Sequence, residues 1–333
     1  MNPNSGNFPQ GDILPVLITV DVCDGAFDRS DRKSRFADLI DSLPIIKKAL
    51  SDFFRNIIYA RIPVTWFVRA DLQVAACIGN VCGLFESLRD FIADSKKEGG
   101  EIGWHPHLYE KSGELYKPIL DPVRMADEAE SIWRKISDSG LKIVSSRIGE
   151  GVCSNELMDR LNSFGILFDS TALPGRYRDD ASRKFDWRIT PPLPYNPLRT
   201  DYRAASDSTD TTEGKTGRIL EIPFSMAEIR APYDSTEAAQ SPPKRYLDLS
   251  FETSSLIKGI IPIAGKIPYL MLVIHPLQAI GKEIPSGGLV TGGIDNLNRN
   301  LAEIYRVISE SGRSADFITV SELGNLWRNM GTG

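Results

Sequence analysis

Short runs of apolar residues alternate along the chain with longer stretches whose apolar positions recur every three to four residues. Strands followed by amphipathic helices give this pattern. Strands are expected at 16–20, 64–68, 101–105, 142–147, 166–169, 219–223, 269–274 and 317–320. Between them, Asp121-Pro122 starts a helix with Met125, Ala129, Ile132, Trp133 and Ile136 on one face and Gly140 as its stop. A second helix runs from 294 to 311 with Leu297, Leu301, Ile304 and Ile308 in one stripe, ended by Gly312. Ser154 caps a third, with Leu157, Leu161 and Phe164 inward and Gly165 as its end. Residues 35–55 are helical on both sides of Pro44, which predicts two helices or one kinked helix. The alternation predicts an α/β fold of seven or eight βα units around a parallel sheet.

Two stretches interrupt the alternation: 201–217, rich in Ser, Thr and Asp, and 231–244, rich in Pro, Ser and Ala. Both read as surface loops inserted into a single domain spanning 1–333. A hydrophobic content of 41% supports a sizeable core. The 39 basic and 44 acidic residues, net −5 and without a basic run, argue against a nucleic-acid or anionic-membrane partner. No stretch is long enough to span a bilayer, and the first apolar run lacks the basic leader of a secretory signal, so a cytoplasmic protein is expected. Cys23, Cys77, Cys82 and Cys153 do not form a paired zinc motif and are expected to be reduced thiols.

All three histidines fall in two motifs: His105 and His107 in the segment 101–109, and His275 directly after the apolar run 270–274. Each sits at the carboxyl end of an expected strand, where βα loops converge and reactive groups gather. Side chains two apart on an extended segment point the same way, so His105 and His107 can reach one ion about 2 Å from each. The first strand runs into Asp21 and then Asp24. One acid can bind a metal while the other takes a proton from water. Two histidines and a carboxylate leave a position open for water, as hydrolytic sites do, and Cys23 can serve as a soft ligand instead of Asp24. Arg147, at another strand end, can grip a carboxylate with two hydrogen bonds, and Asp21 is its natural partner. Asp186-Trp187 lies on a connection where the tryptophan is either core or the wall of a sugar pocket.

Taken together, these motifs resemble the polysaccharide deacetylase (NodB-homology, carbohydrate esterase family 4) superfamily, and its WalW-like branch with a histidine–any–histidine motif. The resemblance covers roughly residues 15–325. It rests on Thr19-Val20-Asp21, on 101–109, on 147–151 with Phe168-Asp169-Ser170, on Asp186-Trp187 and on 272–275. It implies a distorted (β/α) barrel of about seven parallel strands that removes an N-acetyl or related N-acyl group with a divalent metal, usually zinc. The substrate would be an acetylated sugar, a glycan or a nucleotide- or lipid-linked sugar, in polysaccharide or lipopolysaccharide biosynthesis. By position, Asp21 matches the general base, His105 and His107 the metal ligands, His275 the acid for the leaving amine, and Arg147 the residue that orients the base. Asp24 is the expected third ligand, with Cys23 and Asp21 as alternatives, and Trp104, Asp186 and Trp187 are expected on the substrate pocket. The first motif departs from the family pattern, since Val22 and Cys23 occupy positions where an acid is usual. A catalytically silent sugar-binding barrel, and a same-fold amidohydrolase of a non-sugar amide, are therefore carried as alternatives.

Overall fold

The computed structural model describes residues 12–23, 32–113, 115–179, 184–206, 219–234, 243–285 and 287–330. Ten strands form its main sheet: β1 (Ile13–Val22), β2 (Val64–Val68), β3 (Glu101–Trp104), β4 (Ser145–Ser146), β5 (Phe168–Asp169), β6 (Leu220–Glu221), β7 (Met226–Glu228), β8 (Lys244–Asp248), β9 (Leu270–Ile274) and β10 (Ser314–Phe317). The spatial order is β6-β5-β4-β3-β2-β1-β9-β8-β7, with β10 set against the start of β1. Every pairing is parallel except that of β7 with β8.

Strand periodicity assigns each side chain to a face. On β1, Leu14, Val16, Ile18, Val20 and Val22 pack outward into the helix-covered core, while Leu17 points inward. Leu17, Phe67, Phe168, Leu220 and Met271, from five different strands, meet in one buried cluster. A flat sheet cannot bring them together, so the sheet curls into a distorted (β/α) barrel. The segment after β6 reaches back across the opening: Tyr269 Oη donates to the Pro223 carbonyl at 2.5 Å, and the Met271 amide to Ser225 Oγ at 2.9 Å. Thr19, Asp21 and Cys23 share the inward parity of Leu17.

The outer layer carries the four expected helices as α1 (Arg32–Asn56), α3 (Pro122–Asp138), α4 (Asn155–Ser163) and α6 (Ile294–Glu310), and adds α2 (Leu72–Ile78), α5 (Thr253–Ala264) and α7 (Val320–Met330), which the sequence pattern does not announce. Asp121 caps α3 by accepting from the Arg124 amide, and Gly140, at φ +74°, follows its end. Pro44 lies within the single continuous helix α1, so 35–55 is not two helices. The expected strand 317–320 shifts to Ser314–Phe317, because Thr319 and Glu322 form a capping box that opens α7: the Thr319 amide donates to Glu322 at 2.7 Å and the Glu322 amide to Thr319 Oγ1 at 3.4 Å. The first expected loop is in part a hairpin, Pro197–Leu198 with Asp201–Ala205, while 207–217 lies outside the described residues. In the second, 235–242 lies outside them, and Lys244 already begins β8. No helix among the described residues is long and apolar enough to cross a membrane.

Candidate active site

The inward parity of β1 delivers Asp21 to the carboxyl end of the barrel, where it meets Arg147 just beyond β4. Arg147 is buried between the rings of Phe67 and Phe224, with its guanidinium 4.3 and 4.4 Å from their centroids. Its Nη1 donates to Asp21 Oδ1 at 2.6 Å and to Thr19 Oγ1 at 2.8 Å, its Nε to the Ser170 carbonyl at 3.0 Å, and its Nη2 to Ser170 Oγ at 3.2 Å. Burial alone would raise the Asp21 carboxyl, but Arg147 first, and then His105 and His275, outweigh it and hold the group below the ordinary carboxylate range.

His105 and His107 flank Pro106 on the segment leaving β3, and their Nε2 atoms stand 3.1 Å apart. His105 Nδ1 sits 2.7 Å from the Arg147 carbonyl. A carbonyl only accepts, so Nδ1 carries the proton and Nε2 presents its lone pair. Burial holds His105 down to about 4, leaving it the neutral imidazole a metal requires. The His107 amide donates to Asp71 at 3.2 Å, and Asp71 also caps α2 and takes the Arg69 guanidinium at 2.5 Å. Gly149 makes room for the ring: a Cβ there would lie 2.4 Å from His107 Cδ2. Cys23, His105 and His107 each bring a donor atom into one group, all within 4.8 Å of one another. Two ligands about 2 Å from a tetrahedral ion stand about 3.3 Å apart, close to the spacing of this imidazole pair. These three residues therefore fit a metal ion.

His275 follows β9, with its Nδ1 2.7 Å from Asp248 Oδ2 and its Nε2 3.9 Å from Asp21 Oδ2. Asp248 closes β8, whose register places it beside Val273, and it is steadied by the Ser250 amide at 2.8 Å. Burial works against a charged imidazole here, yet Asp248, and then Asp21, lift His275 to about 9. Asp21, Cys23, His105, His107 and His275 line one cavity of about 370 Å³.

Behind Arg147 lies a pair of buried carboxyls, Asp169 on β5 and Glu221 on β6, which are register partners. Burial raises both, Glu221 further, and two acids so close keep one proton between them. Glu221 accepts from the Thr171 and Ala172 amides at 3.0 and 2.8 Å, and Asp169 from Ser146 Oγ at 2.5 Å. The turn so braced contains Ser170, which holds Arg147. An acid whose proton is bound more tightly in the fold gives its full stability below its ordinary pKa and loses it as pH rises toward the raised value. Glutamine at 221 can keep these contacts without titrating. Glu221→Gln is thus expected to gain stability relative to the native chain between pH 5 and pH 8 in urea unfolding, and a constant difference would contradict the shared proton.

Several expected residues lie elsewhere. Trp104 has the outward parity: it is fully buried against Trp133 at 5.4 Å, and its Nε1 donates to the Ala70 carbonyl at 3.1 Å. Trp187 is also fully buried, donating to the Gly151 carbonyl at 2.8 Å, and Asp186 is engaged by Arg188 at 2.8 Å. None of the three lines the cavity that holds Asp21 and His275. Asp24 lies outside the described residues. Conversely, no role in the site was expected for Asp248, Glu221 or Asp169, the last of which was noted only within its motif. Asp169 and Glu221 each close a short apolar strand, whereas Asp248 ends a strand that opens with Lys244 and Arg245.

Neither a protein-family profile nor a curated protein sequence matches the chain. Among solved structures it is similar to a candidate polysaccharide deacetylase from Mycobacterium smegmatis, at 16% identity and TM-score 0.48, covering 95% of this chain and 91% of the other. The α-amylase AmyC of Thermotoga maritima matches at 9% identity and TM-score 0.45, covering 94% and 74%. A candidate polysaccharide deacetylase involved in O-antigen biosynthesis in Bordetella bronchiseptica matches at 12% identity and TM-score 0.38, covering 95% and 90%. These likenesses are distant, so the chemistry has to be read from the side chains.

Proposed function

We propose that the protein is a metal-dependent hydrolase that removes an N-acetyl or related N-acyl group from a carbohydrate. The observation that carries this reading is a base and an acid, Asp21 and His275, 3.9 Å apart on one cavity with the Cys23, His105 and His107 donors. The carbohydrate is supported by the resemblance of the motifs to those of polysaccharide deacetylases, and by Phe185, Phe224 and Tyr246 on the cavity wall, whose rings suit the apolar faces of sugars.

Amide hydrolysis needs a proton removed from water and another delivered to the departing amine. Asp21, kept ionised by Arg147, is in the form that accepts the first. His275, kept protonated by Asp248, is in the form that donates the second through Nε2. Their environments push the two groups into opposite protonation states, as an acid and a base working together require. Cys23, His105 and His107 would hold a divalent cation, zinc being suited to a thiolate with two imidazoles, and such an ion supplies Lewis acidity to the scissile carbonyl and to water. Zinc-loaded protein incubated with N-acetylglucosamine oligomers is expected to release acetate and free amine in equal amounts, and release of neither overturns the reading.

Asp248→Asn removes the main group lifting His275. The alkaline limb of the kcat profile should then move from about 9 toward the ordinary histidine value, making the variant roughly 30-fold slower at pH 8. A pH–rate profile whose alkaline limb stays in place excludes His275 as the acid.

A further inference from the structure

The reaction cavity continues past His275. A second cavity of about 440 Å³ adjoins it, and Arg176, Tyr246, Gln278 and Pro285 are walls of both. A bound acyl sugar would therefore have room beside it for a further group. Arg176 stands at the junction, on the turn where its amide donates to the Leu173 carbonyl at 2.9 Å. Its guanidinium donates to the Lys244 carbonyl at 3.0 Å and makes no ion pair among the described residues. The charged groups that chiefly act on it are two further arginines, Arg178 and Arg245, and its other neighbours are Tyr246 and Tyr233.

Of the carboxylates lining the two cavities, Asp21, Asp248 and Glu283 are engaged elsewhere, as is Asp234 close by, and Glu150 lies on the reaction cavity's wall. Asp234 holds Arg245 at 2.6 Å, Glu283 holds Arg35 at 2.7 Å, Asp21 holds Arg147 and Asp248 holds His275. A half-buried guanidinium that spends one N–H on a carbonyl keeps further donors for an anion. The planar fork of arginine matches a phosphate or carboxylate with two parallel hydrogen bonds.

We infer that Arg176 receives an anionic group of the substrate, a phosphate or a carboxylate, at the junction of the two cavities while the acyl group lies at Asp21 and His275. The substrate class is then an N-acylated sugar carrying a negative charge close to, but separate from, the acyl group. The placement of the acyl group rests on the proposed hydrolase reading, whereas the anion site rests on Arg176 alone.

Calorimetric titration of the protein without added metal separates the two. The probes are N-acetylglucosamine 1-phosphate, a disaccharide of N-acetylglucosamine with glucuronic acid, and neutral diacetylchitobiose. One anionic probe is expected to bind about 10-fold or more tightly than the neutral one. Which of the two it is tells phosphate from carboxylate. In Arg176→Gln the preference falls to about one, and in Arg176→Lys, which keeps the charge, most of it returns. Equal binding of charged and neutral probes, or a preference intact in Arg176→Gln, overturns the inference. A preference that follows Arg176, with no acetate released from any probe by the zinc-loaded protein, leaves the anion site standing and removes the hydrolase reading.

Discussion

Asp21→Asn is expected to slow acetate release by about 10²- to 10⁴-fold, the contribution of a positioned general base. The substitution is nearly isosteric and cannot take a proton from water. It also leaves Arg147 without its anion in a buried setting, although Thr19 and Ser170 still accept from the guanidinium. Breaking a buried pair by removing one partner costs about 3 kcal/mol, so the melting temperature should fall while the fold persists. Steady-state kinetics, run alongside thermal melts and metal analysis, checks this. A variant that keeps native turnover shows that Asp21 is not the base.

His105→Ala with His107→Ala is expected to reduce bound zinc from about one ion per chain to a small fraction, and turnover by at least about 10³-fold. The Lewis acidity of such an ion is worth several kcal/mol of barrier, and each 1.4 kcal/mol is about tenfold in rate. Both imidazoles are buried and contact each other at 3.1 Å, so removing both also leaves a polar hollow beside Gly149. Metal analysis after dialysis is therefore the primary readout and kinetics the second. Full zinc retention would place the ion elsewhere in the chain.

The outer shell of this fold is legible because its signals are local. Asp121-Pro122, Ser154 and the glycines at helix ends are each read within a few residues, and the alternation on β1 follows from a period of two. What escaped reading depends on partners distant in the chain. β8 begins with Lys244 and Arg245, so its composition resembles the loop before it, and only pairing with β7 and β9 makes it a strand. With β8 unseen, Asp248 could not be matched to His275. Arg147 and Asp21 were legible as a pair, because opposite charges ending buried strands have few alternatives. The misplaced Trp104 could have been avoided: His105 shares its parity with Gly103, so Trp104 must face the helices. The same parity argument sets Cys23 beside Asp21 and favours the thiol as a metal donor.

The most direct test is a titration of zinc into metal-free protein, with acetate release from an N-acetylated amino sugar followed at each addition. Release is expected to rise in proportion to zinc up to one equivalent per chain and then to level off. Release that is already maximal without metal, or absent at saturating zinc across neutral and anionic acetylated sugars, would contradict the assignment of this barrel mouth as a metal-dependent deacetylating site.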